Sequence, residues 1–280
     1  MEASDEKIKL SVETEVSSDV EVSDSPDSES SPENRTHLRL TERDEELFLF
    51  LLDQKFACLE AIYFRFFDRR KAPTDPCPTG FYTVRQRLLL LQQHGFVKTA
   101  RVYTESKSVY LLGPRGYRTL QARGLTYGPA VQTVDFRQYE HDQKLTYCRI
   151  ALERQGKAVK WYSERRIRMK GFARNGKLVR LKKNVVIPDG VFLSPKGELV
   201  AFEIECAERM LSRFERKASD YRSLMYEGII DKVLWVADTD KLEKDLKSII
   251  RGRESFFLDR YQNYLSCLTA KALLASGGNK

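Results

Sequence analysis

Apolar positions recur at helical spacing soon after residue 40 and switch to strand-like runs in the second half of the chain. Thr41-Glu-Arg-Asp44 resembles a capping box with Asp in place of the usual Glu, and Leu47, Phe48, Leu51 and Leu52 follow as one helical face. Residues 56–67 read as a second helix with Leu59, Ile62, Tyr63 and Phe66 inward, and Pro73, Pro76 and Pro78 mark a loop. A third helix is predicted over 79–93, with Val84, Leu88 and Leu91 on one stripe and Gly95 at its end. Strands over 96–103 and 108–112 flank a short polar turn. Gly113-Pro-Arg-Gly116 then leads into a small helix ending near Gly124.

The second half begins after a segment, 125–135, that carries Gly128 and Pro129 and reads as a linker. Residues 136–154 are predicted as a helix with Leu145, Cys148 and Leu152 inward and His141 one turn earlier on the same face. A lone inward histidine is more often a core residue than a ligand. A strand is expected over 161–168. Two apolar runs, 184–193 and 198–205, surround a Ser-Pro-Lys-Gly turn and read as a hairpin. The helix over 208–226 shows Met210, Phe214, Tyr221 and Leu224 on one face, with Lys217 among them. Residues 232–237 form a continuous apolar run suited to a central, parallel strand, followed by a solvated helix over 238–251. A last helix and a frayed tail are expected over 254–275.

Charge changes this picture more than composition does. Hydrophobic residues make up 41% of the 280, enough for real cores, while no apolar run is long enough to span a membrane. No apolar signal segment opens the chain, and five cysteines without a CxxC pair or a Cys/His cluster suit reduced thiols in a cytoplasmic protein and argue against structural zinc. The net charge of +8 is unevenly spread: residues 1–35 hold 11 Asp/Glu and 3 Lys/Arg, and the remainder holds 29 acids and 45 bases. Residues 1–37 therefore read as a disordered acidic tail, either a solubilising extension or a DNA mimic. The basic body suits a polyanionic partner. Its extreme is the stretch 165–183, with nine Lys/Arg, no acid and a turn marked by Gly171 and Gly176.

Candidate chemistry follows. Three helices and a hairpin over 38–124 describe a winged helix-turn-helix, whose third helix enters the major groove of double-stranded DNA. Its outer face here offers Thr79, Tyr82, Thr83, Arg85 and Gln86; Arg reads guanine, Gln reads adenine, and Thr and Tyr hold phosphates. The wing carries Lys98, Arg101 and Lys107, and the basic hairpin offers Arg165, Arg166, Arg168, Lys170, Arg174 and Lys177 as a phosphate clamp. A winged helix that only packs against a partner is the competing interpretation. In 136–270, Asp189 lies mid-strand after Pro188, while Glu203 and Glu205, two apart in a strand, point to one face. Charges in such apolar strands need a partner or a metal, and Lys217 on the inward helix stripe is either an ion pair or part of a reaction.

The order helix, strand, strand, strand, helix, strand, with Pro188-Asp189 and then Glu203-Ile-Glu205, resembles the PD-(D/E)xK nuclease-like core. The fold class expected is thus α+β: a winged helix-turn-helix followed by a restriction-endonuclease-like mixed sheet flanked by helices, with residues 271–280 as a tail. The resemblance implies that Asp189 and Glu203 hold Mg2+ or Mn2+ in active members, with a lysine two residues on to prepare water. Glu205 occupies that lysine position. Lys217 either supplies the missing ammonium, with His141 assisting, or neutralises Glu203 and Glu205 as a buried pair.

Residues 38–240 also resemble the plasmid replication-relaxation family, in the order of the run Val109–Tyr117, His141-Asp142, Pro188-Asp189, Glu203-x-Glu205 and Lys217…Tyr221. That resemblance implies a DNA-binding accessory protein of a plasmid or other mobile element, working beside other proteins of a relaxation or mobilisation complex. A metal-dependent endonuclease or nickase is the alternative, and a transcriptional repressor with a sensor or dimerisation domain is a third. A homodimer stays open.

Overall fold

The computed structural model describes residues 38–68, 78–102, 108–182, 184–206, 211–251 and 265–269. The expected tails, 1–37 and 271–280, lie outside them. From Arg39 on, the described residues form one compact α+β unit, in which both halves of the sequence and the expected linker lie.

Helix α1 (Glu42–Gln54) starts at a complete capping box. The Thr41 backbone N–H donates to Asp44 at 2.8 Å, and the Asp44 N–H returns a bond to the Thr41 hydroxyl at 3.3 Å. Asp44 does more than cap: Arg87 Nε donates to it at 3.0 Å and ties α1 to α3 (Pro78–Gln93). Burial alone would raise the Asp44 carboxyl, but the Arg87 and Thr41 bonds outweigh it and hold it below the usual range.

Between α1 and α3 the chain departs from the helix expected over 56–67. Ala57–Cys58 form a short strand, β1, and only then does α2 (Leu59–Ile62) begin, widening into a π-helical turn over Tyr63–Phe67. The cause is tertiary: both residues are buried and pair antiparallel with β3 (Val109–Leu112), Ala57 opposite Tyr110 and Cys58 opposite Val109. β2 (Val97–Ala100) pairs with the other side of β3, giving the order β1-β3-β2. α4 (Pro114–Ala122) follows, its start pressed against the head of β2. A Cβ on Gly113 would come within 2.5 Å of the Gly95 carbonyl oxygen, which is why glycine stands there.

The second half is a five-stranded mixed sheet of order β10-β9-β8-β7-β4. α5 (Tyr139–Arg154) precedes β4 (Lys160–Ser163), β7 (Gly190–Leu193) and β8 (Leu199–Glu205), which run antiparallel to one another. α7 (Leu211–Tyr226) crosses to β9 (Lys232–Ala237), parallel to β8. α8 (Asp240–Arg251) crosses to β10 (Leu265–Thr269), parallel to β9. Within the helix expected over 254–275, residues 265–269 instead form this edge strand; the rest of that range lies outside the described residues.

A second correction concerns 161–168. The strand stops at Ser163, whose hydroxyl accepts from the Arg166 N–H at 3.3 Å, and α6 (Glu164–Met169) begins there. The basic turn beyond it is a hairpin of β5 (Phe172–Arg174) and β6 (Lys177–Val179) around Asn175-Gly176, both at positive φ, as a two-residue turn requires.

The sheet is covered on both faces. Leu145, Cys148 and Leu152 of α5 pack with Trp161, Phe192, Phe202 and Val236. Phe214, Ala218, Tyr221 and Leu224 of α7 pack on the other face with Val191, Ala201, Val233 and Trp235. At Gly190 a Cβ would sit 2.3 Å from the Trp161 ring, so the ring closes over a strand position that has no side chain.

The two halves meet along a polar stripe of α5. Asp142, Thr146, Arg149 and Glu153 recur at spacings of four, three and four and so share one face. Three consecutive residues at the end of α1 meet them. Lys55 donates to Asp142 at 2.8 Å, Thr146 donates to Gln54 at 3.3 Å, and Arg149 reaches Asp53 at 3.2 Å. Glu153 takes Arg149 at 2.9 Å and pairs with Arg65. Arg149 is also stacked beneath the rings of Phe50 and Trp161, at 4.9 and 5.7 Å. The expected linker is woven into this seam: Tyr127 donates to Asp53 at 2.6 Å, and Arg165 donates to the carbonyls of Leu52 and Pro129.

Candidate nucleic-acid interface and carboxylate cluster

Helix α3 separates its faces cleanly. Val84, Leu88 and Leu91 are fully buried, while Tyr82, Thr83, Arg85 and Gln86 are exposed, Tyr82 at 65%. Leu89 extends that exposed face. The Thr79 and Lys107 side chains lie outside the described residues. In the hairpin, Arg101 is exposed, whereas Lys98 is half-buried and donates to the Gln132 side chain at 2.7 Å and its carbonyl at 2.8 Å.

The basic stretch 165–183 divides by environment. Arg165 is spent on two carbonyls of the seam. Arg166 lies over the Tyr162 ring at 5.1 Å, and Arg168 pairs with Glu164 one turn back at 2.6 Å. Arg174 forks onto Asp231 with bonds of 3.0 and 2.8 Å and also donates to the Ile229 carbonyl. Lys170 and Lys177 are exposed.

The acids converge at one end of the sheet. Asp189 does not lie mid-strand: it occupies the bend after Pro188, one residue ahead of β7, because pairing with β8 starts at Gly190. From there its Oδ2 accepts the Ile204 backbone N–H at 2.9 Å. Strand parity puts Glu203 and Glu205 on the α7 face, and both are buried. Lys217 reaches down from α7 to bond Glu203 and, at 2.8 Å, Glu205. Tyr221, one turn further on, donates to the other oxygen of Glu203. His141 comes from the opposite helix, its Nε2 3.4 Å from Asp189 and its Nδ1 3.5 Å from Asp142.

Burial, reinforced by the neighbouring Asp189, pushes Glu203 up to about 8 in spite of Lys217 and Tyr221. Burial would depress Lys217, but Glu203, Glu205 and Asp189 together hold it above its ordinary value. His141 is likewise opposed by burial, yet the carboxylates of Asp142 and Asp189 on either side carry it up to about 10. Asp189 is held below the carboxylate range, since His141 outweighs the effect of burial. At neutral pH the cluster therefore contains two cations, Lys217 and His141, facing the acids.

A divalent ion here would have to displace donors already bound to the carboxylates. Lys217 and Tyr221 already take up oxygens of Glu203, and Lys217 one of Glu205 as well. Among the described residues no group of three or more His, Cys, Asp or Glu is set to hold a metal. What the geometry can do is neutralise buried carboxylates with a lysine and brace Asp189 with a histidine.

Two participants are not among the candidate site residues of the sequence. Tyr221 figures there on the inward face of its helix and in the Lys217…Tyr221 match, and the structure makes it a donor to Glu203. Lys55 extends the cluster through Asp142 to His141, and no local pattern announces it, since its partner lies 87 residues away.

No family model, no curated protein and no solved structure matches the chain.

Proposed function

We propose that this chain is a double-stranded-DNA-binding accessory protein of a plasmid or other mobile element, of the replication-relaxation type. Residues 38–124 act as a winged helix-turn-helix, and the sheet of residues 136–270 is a PD-(D/E)xK nuclease-like scaffold. The observation that carries this reading is α3: one face is sealed into the core, and the other presents Tyr82, Thr83, Arg85 and Gln86 to solvent. Those residue types suit phosphate positioning and base-edge contact. The succession of α5, three antiparallel strands, α7 and a parallel strand supports the scaffold assignment.

In binding measurements on a site selected from a random duplex pool, Arg85→Ala is expected to cost about 1–3 kcal/mol on that site and little on unrelated duplexes. Equal losses on every sequence would remove α3 as the reading element.

A second reading, a metal-dependent endonuclease or nickase, is favoured by the convergence of Asp189, Glu203 and Glu205 with a lysine. Supercoiled plasmid incubated with Mg2+ or Mn2+ separates the two. The scaffold reading expects intact plasmid with binding retained. Nicking that disappears in Asp189→Ala and Glu203→Ala would replace it with the enzyme.

A further inference from the structure

A cleft of about 440 Å³ lies between two hairpin turns of the second half, Asn175-Gly176 and Ser194–Gly197, away from the carboxylate cluster. Its floor is apolar, with Tyr162, Leu193 and Leu199, and its walls carry Lys160, Arg174, Lys196, Glu198 and Asp231.

Charge pairing within the walls is uneven. Asp231 is clasped by Arg174, and Glu198 pairs with Lys232 at 2.8 Å. Both acids of the lining are thus satisfied. Lys160 and Lys196 are exposed, and no carboxylate of the described residues is in ion-pair reach of either. Lys160 rests over the Tyr162 ring, 5.3 Å from its centre, which holds the ammonium at the cleft. The turns leave room for close approach: a Cβ on Gly176 or Gly197 would meet nothing within 4 Å.

We infer that this cleft is a phosphate-binding site for the backbone of a DNA strand, with Lys160 and Lys196 as the ammonium donors. The inference rests on the DNA-binding reading and relocates its phosphate grip. Arg165 and Arg174, prominent in the basic stretch, are consumed by the fold. Lys160 and Lys196, neither of them in that stretch, do the neutralising. Two ammonium groups over an apolar floor suit a phosphodiester with its sugar laid against Tyr162 and Leu199. Such contacts position the strand without choosing its sequence.

The test is the salt dependence of binding by the full chain to a duplex and to one of its single strands. Lys160→Gln/Lys196→Gln is compared with Lys241→Gln/Lys244→Gln, which removes the same charge from the exposed start of α8. With two phosphates no longer neutralised, the slope of log K against log salt is expected to fall by about 2. The weakening should be equal on all duplex sequences, with thermal stability unchanged and the α8 control near wild type. Weakening confined to the single strand assigns the cleft to an unpaired strand, within the inference. An unchanged slope, or an equal fall in the α8 control, overturns it. If Arg85→Ala still discriminates between sites in that case, the DNA-binding reading stands without the cleft. Failure of the unmodified chain to bind either nucleic acid overturns both.

Discussion

Arg149→Ala is expected to destabilise the protein by about 3–5 kcal/mol, because it strands Asp53 as a buried, uncompensated carboxylate. Arg149 and Asp53 are nearly inaccessible, at 6% and 4% of side-chain surface, so solvent screening gives little relief. The guanidinium also fills space under Phe50 and Trp161, and its removal leaves a gap between two aromatic rings. Urea unfolding of the full chain measures the loss. Arg149→Met combined with Asp53→Asn should recover part of it, since removing both charges of a buried pair costs less than removing one. A penalty under about 1 kcal/mol for Arg149→Ala would mean that water enters the seam and screens Asp53, contrary to its burial.

The second large effect belongs to Lys217→Met, and it depends on pH. Glu203 is raised from 4.5 to about 8 in the folded protein. A carboxyl with a raised folded value contributes stability that is fully present below 4.5 and is lost as pH climbs through the folded value. Removing Lys217 takes away the nearest cation and drives Glu203 higher still, so the loss extends further into the alkaline range. The variant is therefore expected to be modestly weaker near pH 4.5, through the lost bond to Glu205, and weaker by about 3–5 kcal/mol near pH 9, where holding the proton on Glu203 adds its cost. Unfolding at a series of pH values reads this directly. On the proposed DNA-binding function, binding at neutral pH should survive wherever the variant is folded. A variant of unaltered stability that has lost a DNA-directed activity would instead make Lys217 a participant in chemistry.

Local signals carried much of this fold. The capping box at Thr41, the stripe Val84–Leu88–Leu91 and, of the two glycines that marked a turn in the basic stretch, Gly176 each depend on residues within a turn or two of one another. Parity along β8 put Glu203 and Glu205 on one face, and the inward stripe of α7 put Lys217 above them. The failures occurred where a distant partner decided the outcome. Ala57 and Cys58 are extended because β3 offers them an edge, and residues 265–269 form a strand because β9 does. Residues 164–168 could be taken to continue the strand until the Ser163 hydroxyl is seen capping α6. The basic stretch shows a different limit. Sequence records that Arg165 and Arg174 are charged, but not that Leu52, Pro129, Asp231 and Ile229 already claim their donors. Likewise the stripe Asp142–Thr146–Arg149–Glu153 looks like an ordinary solvent-facing side of a helix until α1 is laid against it.

That stripe has a mechanical consequence. A greasy contact between two bodies tolerates slippage, because one methyl group serves as well as the next. A row of directional bonds, with partners three or four positions apart along the other element, has one setting only. Inserting a residue among Asp53, Gln54 and Lys55 would set every mate out of step at once. The seam thus works like a keyed coupling: the outward face of α3 and the end of the sheet where Asp189 and Glu203 converge are held at one fixed offset, so that a shift at either is carried to the other.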